Sequence, residues 1–146
     1  MSESDRPQVI RSIAVTTADV VAALEMQVTS NRDAVLRITP PFNGRMRARL
    51  HVTQENEYTD GIEPIHIPPE HLVRSEAPSY PHAVETEEEL RSDPELTYSV
   101  ERHHEYHTER VAEWRNSIPA YIREAVTLDT PTGTQTVTVK PLSGEL

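Results

Sequence analysis

The sequence predicts an α+β fold on three observations. Short runs rich in β-branched residues, such as 9–15 and 134–139, alternate or cluster as strands do. Two longer stretches, 17–30 and 97–117, repeat apolar residues at helical spacing. The order is strand, helix, hairpin, long loop, long helix, hairpin. Elements that do not strictly alternate favour α+β over a doubly wound sheet. The expectation is a small antiparallel sheet covered by helices 17–30 and 97–117, all in one domain spanning 9–142. A polar lead-in at 1–8 and a tail at 143–146 flank it.

Each element has a local reason. Val9-Ile10-Arg11-Ser12-Ile13-Ala14-Val15 is β-branched and reads as the first strand. Thr16 or Thr17 then offers a hydroxyl to an orphan N–H, and Asp19 suits the positive end of a helix. Val20, Val21, Leu24 and Val28 supply that helix with an apolar face, and turn-formers end it at Ser30-Asn31.

The next stretch predicts a hairpin. Leu36, Ile38 and Phe42 alternate with Val35, Arg37 and Thr39, and Met46, Ala48, Leu50 and Val52 alternate with Arg47, Arg49 and His51. Opposed residues share a face. A two-residue Asn43-Gly44 turn would pair Ile38 with Arg49 and mix the faces. A three-residue loop pairs Ile38 with Leu50 and Leu36 with Val52, keeping one face apolar. The other face then gathers Arg37, Arg47, Arg49 and His51.

Residues 54–64 are polar and turn-rich. Ile65-His66-Ile67 reads as a short strand, and Pro68-Pro69-Glu70-His71 as the start of a short helix. Residues 75–95 hold Pro78, Pro81, Pro94 and the run Glu85-Thr86-Glu87-Glu88-Glu89, so the stretch is expected to be a mobile acidic loop. From Leu96 the spacing of Val100, His104, His107, Val111, Trp114 and Ile118 draws one helix face, with Trp114 as its core anchor. Pro119 breaks the helix. The stretches 125–130 and 134–139 form a second hairpin around Pro131-Thr132-Gly133.

Composition bears on setting and function. The 146 residues carry 24 acids against 14 bases, a net charge of −10; 13 of the bases are arginine and Lys140 is the one lysine. Acidic, lysine-poor and short of large apolar residues, the chain resembles cytosolic proteins of extreme halophiles, in which salt screens self-repulsion. There is no cysteine, which excludes disulfides, thiolate metal sites and cysteine nucleophiles. No apolar run approaches a membrane span, and the polar start Met1-Ser2-Glu3-Ser4 does not read as a secretory signal. A cytoplasmic protein is expected, with no membrane partner and no cofactor. The four glycines form no phosphate loop or dinucleotide fingerprint.

Two constellations could carry chemistry. His103 and His107 are four apart on one helix, the spacing of helical zinc sites, with His66 and His71 as further ligands from outside the helix. The residues between them do not follow the metalloprotease order. The plainer reading is that His104 and His107 are half-buried on the apolar stripe, with His103 at its edge. A pH-responsive or catalytic role is a third. The second constellation is the face of Arg37, Arg47, Arg49 and His51, whose guanidinium forks suit carboxylates and phosphates. The plainer reading is a solvated sheet face whose arginines pair with nearby carboxylates, or one covered by a helix through the arginine stems. Beyond it, a protein partner or the acidic run 85–89 of the same chain fits this face better than nucleic acid. The chain is acidic, and the alternating positions hold no stacking aromatic. A non-catalytic interaction or regulatory module is therefore the function expected. The alternatives are a metal-dependent enzyme using His103/His107 and a nucleic-acid-associated protein using the arginine face.

Overall fold

A computed structural model describes residues 5–54 and 61–143 of the chain. Within them lie three α-helices and two sheets, so the α+β class is what the protein has. The chain groups into two compact units. The first comprises Met1–Ser75 with Ile122–Leu146, and the second Glu76–Tyr121. The start of the lead-in, most of the polar stretch 54–64 and the end of the tail lie outside the described residues.

The first unit begins with a 3-10 turn at Pro7–Val9, then β1 (Ser12–Thr16) and α1 (Thr17–Thr29). Thr16 is the N-cap of α1: its Oγ1 accepts from the Asp19 N–H at 3.1 Å. Asn31, at φ 57, ends the helix in the left-handed conformation that asparagine tolerates. Val20, Val21 and Ala23 are the helix residues that reach the core, while Val28 is 43% exposed. The remaining strands of this unit are β2 (Ala34–Ile38), β3 (Arg45–Arg47), β4 (Arg49–Val52), β5 (Ile65–Ile67), β6 (Ala125–Thr130) and β7 (Gly133–Leu142).

The anticipated single antiparallel sheet is two sheets. One has the order β3-β1-β7-β6 and is mixed: β1 runs parallel to both β3 and β7, whereas β6 and β7 are antiparallel. The other, β4-β2-β5, is antiparallel throughout. The first hairpin is accordingly divided. Its return strand is one extended segment that serves both sheets. Arg45–Arg47 pairs with β1, Ala48 donates its N–H to the Ala14 carbonyl, and Arg49–Val52 pairs with β2. The register is Leu36 opposite Leu50 and Ala34 opposite Val52. That differs by two residues from the register expected. Because side chains alternate with period two, a two-residue shift keeps every apolar residue on its predicted face.

The second hairpin forms as expected. Val126 and Leu128 on β6 and Val137 and Val139 on β7 point into the core of the unit. Gly133, at φ 128, takes the turn position a side chain would strain. Ile13, Val15, Leu36, Ile38, Ile67 and Leu72 complete this core.

The second unit pairs α2 (Ala83–Arg91) with α3 (Val100–Ser117), and a 3-10 turn at Ile118–Tyr121 follows. Helix α2 overturns the expected loop. Too few apolar residues mark it in the sequence, so its support is polar. The Glu85 carboxylate accepts from the His82 backbone N–H at 2.9 Å, half of a capping box. Glu87 pairs with Arg91 one turn later at 2.9 Å. Glutamate is itself a good helix former. Thr86 and Leu90, four apart, are its two buried residues. Of the two helices expected over the sheet, α1 packs on β2 and β4 within the first unit, and α3 belongs to the second.

Candidate anion-binding face

The arginines of the first unit are organised by the three-stranded sheet. On its outer face Arg37 of β2 stands directly opposite Arg49 on β4 and His66 on β5, while His51 stands opposite Val35. Arg37 Nη1 donates toward the His51 ring, 3.1 Å from Nε2 and 3.2 Å from Nδ1. The His51 and His66 rings lie 5.5 Å apart. Like charges placed directly opposite repel, so this row stores positive potential. Arg37 Nε is buried and has no hydrogen-bond partner among the described residues. The ion pairs Arg91–Glu87, Arg110–Glu89 and Arg110–Glu113 all lie in the second unit. Among the described residues neither Arg37 nor Arg49 has a carboxylate partner.

Arg47 is the correction to this group. It was expected on one sheet face with Arg37, Arg49 and His51, but its lateral neighbour is Ala14, in the other sheet. The reason is the joint at Ala48, where the extended segment passes from one sheet to the next. His66 takes its place. The sequence did show Ile65-His66-Ile67 as a strand, but nothing in it set that strand beside β2.

The acidic run 85–89 was a possible partner for these arginines. Three of its four carboxylates have local partners instead. Glu85 caps α2 and Glu87 pairs with Arg91. Glu89 accepts from Tyr106 Oη at 2.7 Å and from Arg110 Nε at 3.0 Å. The Arg110 and Tyr106 hydrogen bonds hold the Glu89 carboxyl below its ordinary range.

The histidines of α3 meet one hydroxyl. Thr86 is fully buried, and its Oγ1 lies 2.8 Å from His103 Nε2, 2.9 Å from His107 Nδ1 and 3.1 Å from the Ala83 carbonyl oxygen. If the hydroxyl donates to Ala83, both imidazoles donate to it. So His103 and His107 are the half-buried pair, and His104, expected on the apolar stripe, is exposed. Val100 is likewise 76% exposed. The stripe as read is buried only from Val111 onward, because α2 crosses the face of 103 and 107. No third histidine or carboxylate joins the two in a metal-binding cluster among the described residues. His66 and His71, the other ligand candidates, belong to the first unit.

Burial depresses the pKa of His107, and the neighbouring charges of His103, His104, Arg110 and His82 add to that. The sign follows from linkage. An imidazole harder to protonate folded than unfolded favours the unfolded state once protons bind. Stability is full above the ordinary imidazole pKa and falls as pH drops through it. Wild type should therefore lose stability to urea between neutral and mildly acidic pH, and His107→Gln should lose less. Parallel curves for the two proteins would exclude His107 as the source.

Residues 1–143 match a family described as a domain of unknown function, DUF8009. The chain belongs to the DUF8009 family. No curated protein and no solved structure matches it. In this DUF8009 chain the row Arg37, Arg49, His51 and His66 sets two arginines directly opposite each other. No described helix of the DUF8009 chain is long and apolar enough to cross a membrane.

Proposed function

We propose that the protein is a non-catalytic interaction or regulatory module, acting in the cytoplasm of a salt-adapted cell. In this reading the face of Arg37, Arg49, His51 and His66 binds an acidic segment of a protein partner. One observation carries it. In a chain with 24 acids, two arginines directly opposed across a sheet have no carboxylate among the described residues. An incoming carboxylate would relieve their repulsion and accept paired hydrogen bonds from a guanidinium. The described residues of this face include no phenylalanine, tyrosine or tryptophan on which bases could stack, which favours a polypeptide over single-stranded nucleic acid.

The test uses a polyglutamate peptide and oligouridylate as probes, at about 0.1 M ionic strength, where charges act over roughly 10 Å. Polyglutamate should bind saturably. An Arg37→Gln/Arg49→Gln double variant should weaken it by about tenfold or more, since hydrogen bonds to charged groups contribute about 1.5–3 kcal/mol. Unchanged affinity in the double variant, or binding of oligouridylate alone, overturns the reading.

A further inference from the structure

The four-stranded sheet has a second cationic face, built on different residues. Residues paired across a ladder share a face, so β3, β1 and β7 together present two rows. One is Arg45, Ser12 and Thr138; the next is Arg47, Ala14 and Lys140. The opposite face carries Met46, Ile13 and Val139. The middle strand contributes only a serine and an alanine to the polar face. Small residues there leave a trough between long cationic side chains on either side. Two strand spacings separate β3 from β7, about 9.5 Å. Arginine and lysine side chains rooted that far apart can reach a single anion above Ala14.

One unsatisfied group makes this trough more than a charged surface. Arg47 Nε is buried and has no hydrogen-bond partner among the described residues. Buried polar groups are rarely left unpaired, and each that is calls for a missing partner. Arg47 Nε, a donor only, needs an acceptor. Ser12, 9% exposed, stands on the same pair of strands and the same face and adds a hydroxyl donor to it. Arg45 and Lys140 are exposed on that face. Among the described residues, Arg45, Arg47 and Lys140 form no ion pair. Glu124 is the near carboxylate, its backbone carbonyl accepting from the Val139 N–H at 2.8 Å, yet its side chain forms no ion pair with the group. Asp129, opposite Thr134, is six residues along β7 from Lys140, or about 20 Å.

We propose that Ser12, Arg45, Arg47 and Lys140 form a binding site for a phosphate-type oxyanion, either free phosphate or the phosphate group of a phosphorylated ligand. A compact dianion fits the trough because several donors converge on it at once. A tetrahedral oxyanion offers acceptors to the serine hydroxyl, to Arg47 Nε and to the two outer cations together. A single carboxylate offers fewer. The site is independent of the Arg37/Arg49 face, so either can fail without the other.

The experiment is a titration of the full chain with inorganic phosphate at constant ionic strength, set with chloride, and followed by backbone amide shifts. Saturable shifts are expected at Ser12, Ala14, Arg47, Thr138 and Lys140. Lys140→Gln and Arg45→Gln, both at exposed positions, should each weaken binding by about tenfold, the size expected for losing one charge-assisted hydrogen bond. Arg32→Gln removes an equal charge elsewhere and should leave the affinity unchanged. Ser12→Ala should weaken binding while keeping the fold, which circular dichroism verifies. A parallel titration with a phosphoserine peptide and its unphosphorylated form separates the two ligand sources. Saturation by either phosphate probe at these amides supports the site. Non-saturating shifts with both, or equal loss of affinity in Arg32→Gln, overturn it.

Discussion

Replacing Trp114 with alanine is expected to destabilise the second unit by about 3–5 kcal/mol, the range for truncating a buried aromatic side chain. The unit is small, and small units bury little of their surface. Its buried apolar residues among those described are Pro81, Leu90, Val111, Trp114 and Ile118. Trp114 is the largest of them and 5% exposed. It meets Tyr80 edge-on at 5.0 Å between ring centres, a favoured aromatic geometry. Its Nε1 donates to the Pro78 carbonyl at 2.9 Å, which fastens the segment leading into α2. Losing the indole removes a ring contact, a hydrogen bond and much of the core together. Trp114→Phe separates these contributions. It keeps most of the apolar area and loses the Pro78 bond, at a cost of about 1 kcal/mol for that bond. Urea unfolding followed by helical circular dichroism measures both. A Trp114→Ala protein within about 0.5 kcal/mol of wild type, the range of a neutral surface change, would refute the role given to Trp114.

What the sequence revealed of the fold depended on how each element is stabilised. Helix α1 was legible because a capping threonine, an early aspartate and an apolar face coincide. The second hairpin was legible from alternation alone. Helix α2 was not, because it is held by a cap, an ion pair and two buried residues, and two cannot draw a periodic face. That omission carried over to α3. With no partner helix in view, its stripe was extended through Val100 and His104, whereas Thr86 on α2 meets 103 and 107. The division into two sheets was hidden for a different reason. Residues 45–52 keep one alternation throughout, and only the pairing partner changes at Ala48.

The candidate face was half legible for the same reason. Alternation placed Arg37, Arg49 and His51 on one side correctly, since a shift of two residues preserves sidedness. It could not say which lateral neighbours they have. Arg47 therefore moved to Ala14, and His66 arrived beside Arg37 through a non-local pairing. Ser12 gave no signal at all. An isolated serine in a strand is ordinary, and only the parallel register with β3 and β7 shows that its hydroxyl lies among cations.

Raising salt from about 0.1 M to the molar range, where screening shortens from roughly 10 Å to 3 Å, should stabilise the protein, and the second unit most. Charge is unevenly shared between the units. Glu76–Tyr121 holds 11 acids against 4 arginines, a local charge of −7, and the rest of the chain accounts for −3. The ion pairs within the second unit neutralise only part of this, and exposed pairs contribute little each. Self-repulsion opposes a compact state, and counter-ions relieve it. The midpoint of thermal unfolding should rise by about 10 °C, which corresponds to roughly 3 kcal/mol for a chain of this size. Trp114 is the only tryptophan and sits in the acidic unit, so its emission reports on that unit alone. At low salt its emission should shift to the red on heating before strand circular dichroism is lost, and at high salt the two transitions should converge. A midpoint that stays flat or falls with salt would overturn the halophile reading. Coincident transitions at every salt concentration would show that the charge of α2 and α3 is not what limits stability.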